Sequence, residues 1–195
     1  MAARSSRGRR SQVARPVAQT GRVSTAVSAF DSEIGATDFG DRTVCWDPLN
    51  FVENGDQARF DRLREVEIKH GRVAMLATLG FVVPEFVRIP GEQFSFEAIP
   101  KVIDAHDALP QSMIQIFGWI SFLEACTFPA LANMNNYDRR PGDFGFDPIG
   151  LYPSDPEKQK EYQLAELKNG RLAMISIGGM VAGAAVSGHG FPYLP

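Results

Sequence analysis

A chain of 195 residues with 44% hydrophobic and 22% charged residues is long enough for one domain, and on these totals alone it reads as soluble. A formal net charge of -3, with no concentrated basic face beyond residue 22, excludes a nucleic-acid partner, because binding phosphate takes clustered cations. Two cysteines, Cys45 and Cys126, make neither a disulfide framework nor a CxxC metal spacing, and both read as plain small residues.

Up to residue 22 the chain carries Arg4, Arg7, Arg9, Arg10, Arg15 and Arg22, several serines, and no Asp or Glu. That is the composition of an organelle transit peptide, with a basic arm kept on the mature protein as the alternative. The expected division is a transit-peptide-like segment over 1–27 and one domain over 28–195. Val73 to Val83 is then apolar except for Thr78 and Gly80, and Phe86 and Val87 extend the run past Pro84. An acidic connection follows, with Glu85, Glu92, Glu97, Asp104 and Asp107, and with His106 inside it. Met113 to Ala132 is polar only at Gln115, Ser121, Glu124 and Thr127, and Asn133 and Asn135 end it. Leu172 to Val186 holds no charge and is interrupted only at Ser176, Gly178, Gly179 and Gly183.

Crossing about 30 Å of hydrocarbon takes roughly 20 apolar residues, which the second segment alone supplies. The first and third reach that length if their helices begin near Arg64 and Gln163. That choice carries Glu67, Lys69, His70 and Arg72, and equally Glu166, Lys168, Asn169 and Arg171, into or near the membrane, where ionisable residues are rare and usually functional. Three buried helices of a soluble bundle are the alternative. The expected fold is an all-α membrane protein with three transmembrane helices and its arginine-rich amino end on the side of synthesis.

The first and third segments are copies of one another. Glu67-Ile-Lys-His-Gly-Arg-Val-Ala-Met-Leu76 aligns with Glu166-Leu-Lys-Asn-Gly-Arg-Leu-Ala-Met-Ile175 at a constant offset of 99 residues, with six of ten positions identical. Upstream, Trp46-Asp47-Pro48-Leu49-Asn50-Phe51 parallels Phe146-Asp147-Pro148-Ile149-Gly150-Leu151, so each copy is an Asp-Pro turn followed by a helix. Two intervening crossings make the repeated helices parallel and relate them by a pseudo-twofold axis along the membrane normal. Gly71, Ala74, Ala77 and Gly80 match Gly170, Ala173, Ser176 and Gly179, a stripe of small residues along which two backbones can approach in a crossed pair.

Glu67 and Arg72 lie five apart, about 140° around a helix, too far round to pair with each other. Reciprocity about the twofold axis supplies the partners: Glu67 with Arg171, and Glu166 with Arg72. Four unpaired charges at about 2.5–3.5 kcal/mol each would be prohibitive in the membrane. On this reasoning, replacing Arg171 by Leu would leave Glu67 without its countercharge.

His70 follows Glu67 by three residues on nearly the same helix face, and Asn169 follows Glu166 in the same way. A neutral imidazole, an amide oxygen and an arginine-compensated carboxylate are each good single ligands for a hard or borderline cation. Gln115 and Glu124, nine apart and about 180° around their helix, would serve separate sites on opposite faces, or form helix–helix hydrogen bonds. Glu-x-x-His is also half of a carboxylate-bridged di-iron site, but that motif needs a second Glu-x-x-His and this chain offers Glu-x-x-Asn.

The paired Glu-x-x-His/Asn-Gly-Arg motifs resemble the signature of the chlorophyll a/b and a/c light-harvesting superfamily, over roughly Ser28 to Ala185. Pro141-Gly-Asp-Phe-Gly-Phe-Asp-Pro148 resembles that family's loop before its third helix, and Ser28-Ala-Phe-Asp-Ser-Glu-Ile-Gly35 resembles mature starts in red-lineage algae. The resemblance implies that Glu67, His70, Glu166 and Asn169 ligate chlorophyll magnesium, that Arg72 and Arg171 bridge the helices, and that Gln115 and Glu124 are second-helix ligands. It implies carotenoids, xanthophylls by class, whose head groups lie near Asp47 and Asp147. It further implies chlorophyll a with an accessory chlorophyll, c favoured over b, a plastid thylakoid location, and a photosystem core, neighbouring antenna subunits and membrane lipids as partners. The implied function is transfer of excitation energy, without enzymatic catalysis; a photoprotective relative that dissipates energy when the lumen acidifies is the alternative. One departure stands out. Many relatives place a Gln or His ligand twelve residues after the second motif's Arg, where this chain has Gly183, which implies a missing or differently held pigment. His189 and His106 are substitute ligands or surface histidines.

Overall fold

The computed structural model describes residues 30–38, 40, 43–52, 55–132 and 139–193. The transit-peptide-like segment 1–27, and Asn133 and Asn135 at the end of the second apolar segment, lie outside the described residues. A two-stranded antiparallel ribbon, β1 (Thr37–Asp38) and β2 (Thr43–Val44), precedes the long helix α1 (Gln57–Phe86). A short helix α2 (Ala105–Ala108) leads into the apolar helix α3 (Pro110–Ala132), and a second long helix α4 (Pro156–Ser187) crosses α1.

Both long helices begin about two turns before the positions expected from hydropathy, because their starts are set by caps. The Asp56 carboxylate accepts from the Ala58 and Arg59 amides at 3.1 and 3.3 Å, and that of Asp155 accepts from the Glu157 amide at 3.1 Å, with Pro156 at the first helical position. α1 continues through Pro84, so Glu85 belongs to its last turn and not to the acidic connection. α4 stops at Gly188, whose backbone adopts φ 71° and whose N–H donates to the Ala184 carbonyl at 3.1 Å.

The helices touch at the first half of the small-residue stripe. A Cβ built on Gly71 would sit 2.9 Å from the Gly170 Cα, and one on Gly170 would sit 3.0 Å from the Gly71 Cα, so only glycine fits either place. Ala74 and Ala173 are buried one turn on. The second half of the stripe diverges from expectation: a Cβ at Gly80 or Gly179 meets nothing within 4 Å, because nine residues carry each about 180° around its helix from Gly71 or Gly170, away from the contact.

Two helices, α3 and α4, are long and apolar enough to cross a membrane. α1 is 30 residues long, but Arg64, Glu65, Glu67, Lys69 and Arg72 occupy its first half and its apolar half is correspondingly shorter. α3 buries none of its residues, and Ile114, Phe117, Trp119, Phe122 and Phe128 all stand exposed.

Candidate functional site

At the crossing, Arg72 Nε donates to Glu166 Oε1 at 2.6 Å and Arg171 Nε donates to Glu67 Oε1 at 2.7 Å. The reciprocal pairing expected from the repeat is the one present. Each arginine also turns Nη1 onto a loop carbonyl at 2.7 Å, that of Gly142 for Arg72 and that of Gly35 for Arg171. Sequence reasoning missed these glycines. Both have positive φ, 90° at Gly35 and 79° at Gly142, and each lies flat on the neighbouring helix. A Cβ would fall 2.1 Å from Leu167 Cδ2 at Gly35 and 2.8 Å from Ile68 Cγ2 at Gly142. Ile68 and Leu167 are themselves repeat equivalents, so the symmetry extends from the helices into the loops. The β-ribbon inserted after Gly35 breaks the constant offset there and hides the correspondence in the sequence.

The two halves then differ. Arg64 Nη1 donates to Glu67 Oε2 at 2.7 Å, so both oxygens of Glu67 meet guanidinium groups. The equivalent residue on α4 is Gln163, which donates to the Tyr152 hydroxyl, and Glu166 Oε2 has no partner among the described residues. The expectation that Arg171 is the sole countercharge of Glu67 is therefore corrected by Arg64. A second missed residue is Glu65, 1% exposed, whose Oε2 accepts from the Gly142 amide at 2.6 Å and from Arg139 Nη1 at 3.1 Å. Arg139 also donates to the Ala130 carbonyl at 3.3 Å, so one buried carboxylate ties the loop before α4 to α1 and to the end of α3.

His70 and Asn169 are exposed on the outer sides of the crossed pair, and each is oriented by its own helix. His70 Nδ1 lies 2.8 Å from the Val66 carbonyl, and Asn169 Nδ2 donates to the Ala165 carbonyl at 2.8 Å. A carbonyl can only accept, so Nδ1 of His70 carries a proton, and in the neutral ring this leaves the lone pair on Nε2. The same bond at Asn169 uses Nδ2 and leaves Oδ1 without a partner among the described residues. Gln115 is exposed on α3, and Glu124 Oε2 is paired with Lys69 Nζ of α1. The described residues contain no group of three or more His, Cys, Asp or Glu side chains able to hold a metal ion, so the donor set does not fit a di-iron centre.

Asp47 and Asp147 order their own turns. Asp47 accepts from the Phe51 and Val52 amides at 3.0 and 2.8 Å, and Asp147 from those of Leu151 and Tyr152 at 3.0 and 2.9 Å. The Tyr152 and Leu151 amides hold the Asp147 carboxyl below the usual carboxylate range. Each turn walls a groove. One, of about 1150 Å³, runs past Ile68, Arg72, Phe146, Asp147 and Glu166; the other, of about 620 Å³, runs past Trp46, Asp47, Glu67, Arg171 and Met174. Cys45 also borders the smaller groove, where burial pushes its thiol pKa up, and Cys126 is exposed on α3.

Gly183 is covered by the chain itself. The segment after α4 folds back so that the Tyr193 ring lies 3.2–3.4 Å from where a Gly183 Cβ would be, and Tyr193 Oη donates to the Met180 carbonyl at 3.0 Å. His189 is exposed, its Nδ1 held 2.8 Å from the Ser187 carbonyl, and His106 is exposed on α2.

Residues 30–185 match the family model described as chlorophyll a-b binding protein. The chain is 39% identical to fucoxanthin-chlorophyll a-c binding protein F, chloroplastic, of Macrocystis pyrifera, over 85% of this chain and 79% of that one. It is 39% identical to fucoxanthin-chlorophyll a-c binding protein A, chloroplastic, of Phaeodactylum tricornutum, over 83% and 84% of the two chains. Against the fucoxanthin-chlorophyll a-c binding protein, chloroplastic, of Trieres chinensis, the identity is 36% over 88% and 87%.

Proposed function

The chain belongs to the chlorophyll a-b binding protein family, and from that membership we propose that it is a light-harvesting antenna holding chlorophyll a, chlorophyll c and carotenoids. It works by positioning pigments and not by chemical catalysis. Glu67, His70, Glu166 and Asn169 are its axial ligands to magnesium on the crossed pair, with Gln115 and Glu124 on α3. The observation that carries this reading is the pair of carboxylates, each neutralised by an arginine of the other helix, beside an imidazole and an amide whose outward atoms are left open. Neutralised carboxylates offer oxygen to a hard cation without an uncompensated charge in the hydrocarbon.

The two grooves are of a size for the polyene carotenoids that the relatives' names imply, with the Asp47 and Asp147 turns at their polar ends. Arg72, Arg171 and Glu65 fix the helices and loops so that these walls stay put. The bound pigments supply absorption, energy migration and triplet quenching. α1, α3 and α4 each cross the thylakoid membrane of a plastid, and excitation passes to neighbouring antenna subunits and a photosystem core. Extraction of the purified protein followed by chromatography tests the proposal: chlorophyll a, chlorophyll c and a xanthophyll are expected together, and a protein purified from its native membrane without pigment overturns it.

A further inference from the structure

Glu124 is the lone charged residue of α3 between Pro110 and Ala132, on a helix with no buried residue. Lys69 meets it from α1, and this is the one ion pair among the described residues that joins α3 to the crossed pair. The contact uses Oε2 and leaves Oε1 without a partner among the described residues. That is the arrangement of Glu166, whose Oε1 takes Arg72 while Oε2 stays open. The cation differs for a structural reason. Arg72 and Arg171 need a fork because each must reach a glutamate and a loop carbonyl at once, whereas Lys69 Nζ donates to Glu124 and to no loop carbonyl among the described residues, and a single point charge suffices.

The repeat supplies a control. Lys168 occupies the place of Lys69 on α4, is exposed, and makes no ion pair among the described residues. A lysine at this position therefore needs no carboxylate and can snorkel. The pairing of Lys69 is specific to the side on which α3 lies. We infer that Lys69 is the countercharge that makes Glu124 a third neutralised carboxylate ligand, a positioning residue for one magnesium-centred pigment between α1 and α3. This inference rests on the antenna reading given above.

Refolding the full chain with chlorophylls and carotenoids separates the possibilities by chlorophyll stoichiometry and circular dichroism in the visible. Glu124→Ala is expected to lose one chlorophyll per protein, and Lys69→Gln to lose the same one, with the same difference spectrum. Lys69→Arg and Lys168→Gln keep the full complement. The exchange Lys69→Glu with Glu124→Lys keeps an ion pair and the melting temperature but not the pigment, because an ammonium cannot ligate; Lys69→Met, which keeps the aliphatic stem without the charge, carries the test of Lys69 if Lys69→Gln fails to refold. Full stoichiometry in Lys69→Gln overturns the role of Lys69 while leaving the ligand, whereas recovery of the pigment in the exchange, which lacks Glu124, overturns the ligand. Full stoichiometry in Glu124→Ala removes the ligand itself.

Discussion

Replacing Gly170 with Ala adds one carbon at the tightest point of the molecule. That carbon falls 3.0 Å from the Gly71 Cα, whereas unstrained carbon–carbon contacts lie at about 3.5–4.0 Å, so the axes must part by roughly 0.5–1 Å. The Arg72–Glu166 and Arg171–Glu67 contacts, 2.6 and 2.7 Å, straddle the same crossing and would stretch to about 3.1–3.7 Å, at or past the outer edge of good hydrogen-bond geometry. Overpacking of this kind costs about 1–3 kcal/mol. Gly179→Ala, nine residues on and about 180° around the same helix, adds the same carbon where nothing lies within 4 Å and is expected to be neutral. Both variants would be refolded with pigments, and melting followed by the loss of the visible dichroism of coupled chlorophylls. Gly170→Ala should melt earlier and bind chlorophyll less completely. Equal melting of the two variants, or the reverse order, would refute the crossing geometry.

Three further outcomes follow from named contacts. Arg72→Leu strips Glu166 of the one cation it meets among the described residues and should abolish the chlorophyll there; Arg171→Leu should be milder because Arg64 still faces Glu67, and pigment stoichiometry of the two variants checks the order. Gly183→Gln should displace Tyr193, lower the melting temperature and add no chlorophyll; one extra chlorophyll per protein would show instead that the site can be refilled. The Asp147 carboxyl is depressed, so its contribution to the turn is complete above the unfolded aspartate range near pH 4 and is lost as pH falls through the lower folded value. Hydrogen exchange at the Leu151 and Tyr152 amides should report that loss, and Asp147→Asn should flatten it.

Much of the crossed pair could be read from the sequence because the repeat makes its contacts reciprocal. Once Glu67 and Arg72 are too far around one helix to meet, the partners follow from symmetry, and the glycines at 71 and 170 mark the contact. Hydropathy failed at the helix starts, where Asp56 and the Asp155-Pro156 pair decide and a count of apolar residues is blind to them. The lower stripe misled because a step of three residues falls short of a full turn, and three such steps carry Gly80 and Gly179 about 180° round to the far side of their helices. Loop contacts were hidden for a different reason. Gly35 and Gly142 act through backbone carbonyls, which a side-chain pattern does not display, and Glu65 looks like any charged residue of an amphipathic turn until Arg139 and the Gly142 amide close over it. The closure of Gly183 by Tyr193 joins residues either side of a helix end, with only the glycine at 188 as a clue that the chain turns back.

The fluorescence excitation spectrum of the purified pigment–protein tests the central claim most directly. If this chain holds its pigments close enough for energy to move among them, exciting the chlorophyll c and carotenoid bands should yield chlorophyll a emission, with an excitation spectrum that follows the absorption spectrum. Emission from chlorophyll a that lacks the chlorophyll c and carotenoid contributions, in a protein that retains all three pigments, would contradict the account.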